Sequence, residues 1–191
     1  MRIWTIQPKF LWEKLQKEKC LYCDPTQAEL LQEPAFFNAY HWIRQQMELR
    51  LGKRPAKATH PFWGWYLLNG KNQKPDLRRT EFRNYLGEHV CLELEIPETD
   101  ILLSDEEAWH AVLNDFYYSD AVTDTEWILE KLIYESLTKL EQTELKHHSW
   151  EKIFAIDQNL NNHQFVQATF WVLRLEQVVA VRCFNKKENI N

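Results

Sequence analysis

Three sets of residues have types and spacings that could do chemistry. The first stands on two alternating stretches near the two ends, Thr5 and Gln7 in residues 2–7 and Gln167, Thr169 and Trp171 in residues 165–173. Residues two apart share a strand face, so Gln167, Thr169 and Trp171 line up opposite Val166, Ala168, Phe170 and Val172. Two polar groups and an indole could floor a pocket, or form the solvated side of an antiparallel sheet. The second set follows Pro75: Asp76, Arg78 and Arg79. An arginine there could grip phosphate with two parallel hydrogen bonds while Asp76 steadies its guanidinium; the alternative is an exposed ion pair. The third set is histidine. His110 follows Trp109 and could act as a general base, since an unperturbed imidazole titrates at about 6.5. His60, before Pro61, could contact an anion, whereas His147 and His148 near a helix end need only complement its dipole.

Other chemistries have weaker support. Asp76 with Glu93 and Glu95 would supply three carboxylates for a divalent metal, as in a nuclease. Glu95, however, stands where a basic residue is expected, and an exposed alternating strand accounts for both glutamates. Cys20 and Cys23 form one CxxC, with Cys91 and Cys183 isolated. Lacking a second pair or a following helix N-terminus, they read as incidental thiols in reducing cytoplasm. The four glycines (Gly52, Gly64, Gly70 and Gly87) cannot write GxGxxG. Gly64 with Gly70-Lys71 misses the phosphate-loop spacing by one residue, and Asn72 follows in place of Ser or Thr. GxSxG and HExxH are absent. The first residues lack a signal-peptide layout, and no apolar run approaches ~18 residues.

Charge is distributed unevenly. The 191 residues carry 23 Lys plus Arg against 28 Asp plus Glu, a net of −5. Residues 44–83 hold ten basic and three acidic side chains, whereas residues 84–151 hold three and seventeen. The basic segment also crowds Phe62, Trp63, Trp65 and Tyr66 together, near Trp42. Cations and flat rings can hold a nucleotide-like ligand, the cations taking phosphates and the rings stacking. Tryptophan is also a packing residue, and the chain has nine. The acidic half could instead dock a basic protein partner.

The elements that must position these residues follow from periodicity. A short strand over 2–7 leads through Pro8 into a helix to about Lys19, and Pro34 opens a second helix to Leu51. A basic loop over 52–60 precedes an extended aromatic stretch over 62–68, closed by Asn69-Gly70. Residues 89–96 alternate as a strand that Pro97 stops. Ser104 with Glu107 predicts a capping box for a helix carrying Trp109, Val112, Leu113 and Phe116. Thr123 with Glu126 predicts another, opening a helix towards Leu145, while Ser149 is placed to cap a short helix with Ile153 and Phe154. Strands over 165–173 and 178–184 end the chain. Strands at both ends with helices between give α+β: a compact single domain, 1–191, with a mixed or antiparallel sheet and residues 124–145 free to protrude.

With these residues assembled, the chain resembles an uncharacterised bacterial family, the domain of unknown function 3841. The resemblance rests on Trp4-Thr5-Ile6-Gln7, Ala39-Tyr40-His41-Trp42, Pro61-Phe62-Trp63-Gly64-Trp65 and Pro75-Asp76-Leu77-Arg78. It continues through Leu103-Ser104-Asp105, Trp109-His110, Leu113-Asn114 and Val166-Gln167-Ala168-Thr169-Phe170-Trp171. His41 stands where the family pattern has Asp. The chain is also loosely similar to small ADP-ribosyltransferase-like domains, which begin on a polar-bearing strand and end on strands with a functional Glu or Gln. That likeness implies roles for Gln7 and Gln167, and NAD as a cofactor. Gln167 would orient a ribose hydroxyl, but a neutral amide cannot stabilise a developing oxocarbenium ion as a carboxylate does. The expected site is thus a basic, aromatic-lined cleft for a nucleotide-like or phosphate-bearing ligand. Gln7, His110 and Gln167 are its catalytic candidates, and Trp63, Trp65, Asp76, Arg78, Arg79 and Thr169 its binding residues. The alternatives are a non-catalytic interaction module using the acidic helical half, and a metal-dependent nuclease.

Overall fold

A computed structural model describes residues 1–27, 33–119, 121–156 and 163–186. Its centre is a six-stranded antiparallel sheet in the order β5-β6-β3-β1-β4-β8, formed by β1 (Arg2–Pro8), β3 (Phe62–Leu68), β4 (Gly87–Glu95), β5 (Leu102–Asp105), β6 (Phe165–Phe170) and β8 (Val178–Lys186). A two-stranded antiparallel sheet pairs β2 (Cys20–Tyr22) with β7 (Val172–Arg174). The helices are α1 (Lys9–Glu18), α2 (Phe37–Leu51), α3 (Glu106–Leu113), α4 (Asp124–Ser136) and α5 (Lys139–Trp150). The α+β class read from the sequence is correct, and the sheet is antiparallel. Among the described residues no helix is long and apolar enough to cross a membrane.

β1 lies inside the sheet with Ile3 buried on one face and Trp4 and Ile6 on the other, so both faces must be covered. Ile3 faces Leu15 of α1 together with Val90, Leu92 and Leu94 of β4, in a core that includes Phe62 and Phe170. The opposite face has two covers. Beside β5 and β6 it meets α2, α3 and α5 through Ile43, Met47, Trp109, Val112 and Trp150. Beside β1 and β4 the loop over 69–86 closes it, laying Leu77 and Phe82 on Trp4, Ile6 and Cys91. Gly64 marks a close approach of strands: a Cβ there would lie 3.0 Å from the Trp4 carbonyl oxygen.

Several expected boundaries move, each for a local reason. The box expected at Ser104 does not form: the α3 cap is one residue later, where Asp105 accepts from the Ala108 N–H, and Ser104 is a buried residue of β5. Phe116 falls beyond α3 and is exposed. The helix expected over 123–145 is two helices, since Thr138 and Glu141 form a second complete capping box that starts α5. The Thr123–Glu126 box opens α4 as expected. Ser149 lies within α5, donating to the Lys146 carbonyl and accepting from the Tyr118 N–H. The strand expected over 165–173 breaks at Trp171, where the chain leaves the large sheet and enters the small one. The helix expected from Pro34 begins as a 3₁₀ turn and becomes α-helical at Phe37.

Candidate functional site

The sheet separates the two glutamines expected to share a pocket. Trp4 pairs with Trp65, and Trp65 with Gln167, so these three side chains emerge on one face. Gln7 lies three residues from Trp4 on a regular strand and therefore emerges on the other. There its amide nitrogen donates to Thr5 Oγ1 at 2.7 Å, and that hydroxyl donates to the Trp63 carbonyl at 2.7 Å. Thr169 is fully buried and donates to the Leu102 carbonyl at 3.2 Å, so it lines no open pocket. Gln167 stands opposite Ser104, and both Gln167 Oε1 and Ser104 Oγ are enclosed without a partner among the described residues.

The arginines and indoles do not line one hollow either. Asp76 takes both Arg78 Nε and Nη2 at 2.8 Å, and the Arg78 side chain is 90 % exposed. That bidentate bond holds the Asp76 carboxyl far below the usual carboxylate range. Arg79 turns to Glu81 at 2.9 Å. A cavity of about 270 Å³ under this loop is lined by Lys74 and Arg79 but also by Asp76 and Glu81, so its charges balance. Trp65 packs edge-on against Phe82 and Phe165, while Trp63 packs on Trp109 with ring centroids 5.0 Å apart and edge-on to Tyr40. Their half-buried rings serve two different parts of the core.

His110 is exposed, with Nε2 at 3.4 Å from Glu106 Oε1 one helical turn earlier. Burial raises the Glu106 carboxyl above its ordinary value. The nuclease carboxylates are engaged elsewhere: Glu93 accepts from Trp4 Nε1 and meets Arg2 at 3.3 Å, and Glu95 meets Arg2 at 2.8 Å. Among the described residues no three His, Cys, Asp or Glu side chains gather as a metal would require. Burial and neighbouring Asp24 push the Cys23 thiol up to about 11, opposite to the shift a redox cysteine needs.

The structure adds groups that sequence reasoning missed. Arg44 Nε is enclosed without a partner among the described residues; so is Nδ1 of His60, already an anion-contact candidate from the sequence, and burial followed by the charges of Arg44 and Arg54 lowers the His60 pKa. The basic count over 44–83 was the available signal. Asp105 Oδ2 lies 2.8 Å from His163 Nδ1, a contact across 58 positions that spacing cannot reveal.

The most unusual surface is α4, on which every described residue is partly or fully open to solvent. Its inner side touches the body through Tyr134, whose ring lies 5.2 Å from Tyr117, and through Glu130, which accepts from Ser119. At 100° per residue, Ile128, Leu129, Leu132 and Ile133 share the outward side, an i, i+1, i+4, i+5 stripe. They are 52 %, 55 %, 59 % and 60 % exposed. An amphipathic helix normally turns such a stripe inward. Asp124 and Glu135 border it on one edge and Glu126 on the other, so carboxylates frame an aliphatic strip.

The sequence model of a family described as Domain of unknown function (DUF3841) matches residues 2–179. The chain belongs to that family. The match takes in all eight strands as far as the start of β8 and all five helices, so the α4 strip and the Asp76 loop both belong to the family's domain. No curated protein and no solved structure matches the chain. The family description carries no activity, so the ADP-ribosyltransferase likeness has only Gln7 and Gln167 behind it, and these stand on opposite faces of the sheet.

Proposed function

We propose that this domain is a non-catalytic protein-interaction module, and that the aliphatic strip of α4 docks a basic amphipathic segment of a partner protein. The outward exposure of Ile128, Leu129, Leu132 and Ile133 carries the reading. The charge of the partner follows from the frame: residues 84–151 carry seventeen acidic and three basic side chains. Of those three, Lys131 and Lys146 already face Glu135 and Asp115. A second copy would set carboxylate against carboxylate, and an anionic membrane would be repelled. A reducing, cytoplasmic setting accompanies this reading, supported by four free cysteines. A nucleotide-binding or ADP-ribosyltransferase-like role draws less support, because the two glutamines do not meet and the rings of Trp63 and Trp65 pack in two different parts of the core.

The test is fluorescence anisotropy with a labelled Leu/Lys amphipathic helical peptide and its Leu/Glu counterpart. Burying the open half of one Leu or Ile gives about 1 kcal/mol, so Leu132→Ser with Ile133→Ser removes about 2 kcal/mol, roughly 30-fold in affinity. The basic peptide should bind, weaken with salt, and lose this factor in the double variant. Equal binding of the acidic peptide, or an unchanged affinity in the variant, would defeat the proposal. A dimer seen by light scattering and dissolved by the same variant would make a second copy the occupant instead.

A further inference from the structure

A second cavity, of about 240 Å³, lies where the loop after α2, the turn before β5 and the β6–β7 junction meet. Its walls include the apolar side chains of Leu51, Pro55, Ile96, Phe170 and Val172. Lys53 and Arg174 also line it, and neither has a carboxylate partner among the described residues. One carboxylate, Asp100, shares the wall and accepts from Thr99 Oγ1 at 3.4 Å. Trp171, another lining residue, is 7 % exposed, and its indole N–H is enclosed with no acceptor among the described residues.

We propose that this cavity binds a small apolar molecule bearing one anionic head, a carboxylate or a phosphate monoester, with Lys53 and Arg174 holding the head. Two cations against one carboxylate set the sign of the ligand. The apolar walls require a hydrocarbon or aryl body. The volume lies below the range of about 300–1,000 Å³ that holds drug-sized ligands, which limits that body to a single ring or a short chain. This site is separate from α4 and does not depend on the docking proposal.

The experiment is calorimetric titration of the full chain with phenyl phosphate, phenylacetate and inorganic phosphate. Saturable binding of at least one phenyl probe is expected, with inorganic phosphate at least about tenfold weaker for want of apolar contact. The two phenyl probes between them decide which head is preferred. Lys53 and Arg174 are exposed, so Lys53→Ala and Arg174→Ala should keep the melting temperature while each weakens binding about fivefold. Asp100→Asn should tighten it, because a repelling charge is removed. Absence of saturable binding by both phenyl probes would overturn the proposal. So would affinity unchanged in the double alanine variant, or inorganic phosphate binding as tightly as phenyl phosphate.

Discussion

Two hydroxyls on adjacent strands offer a direct measurement of what an unmet hydrogen bond costs in this sheet. Ser104 on β5 and Thr169 on β6 are both fully buried. Thr169 donates to the Leu102 carbonyl at 3.2 Å, whereas Ser104 Oγ has no partner among the described residues. A buried polar group left unpaired costs about 1–3 kcal/mol, and a hydrogen bond that is made contributes about 1 kcal/mol net. Ser104→Ala removes the orphan and leaves only a small void, so stability should rise by about 1 kcal/mol. Thr169→Val keeps the shape and removes a made bond, so stability should fall by about 1 kcal/mol. For a chain of this length 1 kcal/mol moves Tm by roughly 2–4 °C, and the two variants should therefore differ by roughly 4–8 °C. Calorimetric melts with matched urea titrations measure both. If Ser104→Ala lowers Tm as far as Thr169→Val does, the hydroxyl has a partner and the reasoning fails.

Other outcomes follow from single features. Gly64→Ala must push β3 from β1, since its Cβ would meet a backbone oxygen at 3.0 Å; a loss of about 1–3 kcal/mol is expected by urea titration. The depressed His60 pKa means that the unfolded chain holds this proton more readily than the native one. Stability should therefore be intact above about pH 6.5 and fall as pH drops below it, and His60→Gln should flatten that part of a Tm-against-pH curve. Cys23, pushed up to about 11, should alkylate far more slowly at neutral pH than exposed Cys183, as peptide mapping after brief iodoacetamide treatment would show.

Strands with clean alternation and helices with strong caps are legible in the sequence alone. Residues 89–96 announced β4 through Leu92, Leu94 and Ile96, and Thr123 with Glu126 announced α4. Short pieces were not. β2 and β7 have three residues each, too few for a period to show, and exist because each supplies the other's hydrogen bonds. The α4–α5 break was within reach, since Thr138 and Glu141 repeat the very pattern read at Thr123 and Glu126. The expected cleft went astray on strand order. Periodicity tells that Gln7 shares a face with Thr5, and Gln167 with Thr169, but the register linking Trp4 to Trp65 and Trp65 to Gln167 decides that those faces are opposite. The outward aliphatic stripe of α4 was not legible, because from spacing alone it looks like one meant for the core.

The position of β1 has a consequence for synthesis. Within this domain the strand made first ends in the interior of the large sheet, with one edge on β3 and the other on β4. Its second neighbour is complete only at Glu95. Until then Ile3, Trp4 and Ile6 travel on a nascent segment with at least one bare edge, which is the kind of surface that invites aggregation and chaperone capture. The chain is thus committed to slow, non-local assembly, and stalling translation before residue 95 should leave a product that cannot close its own centre.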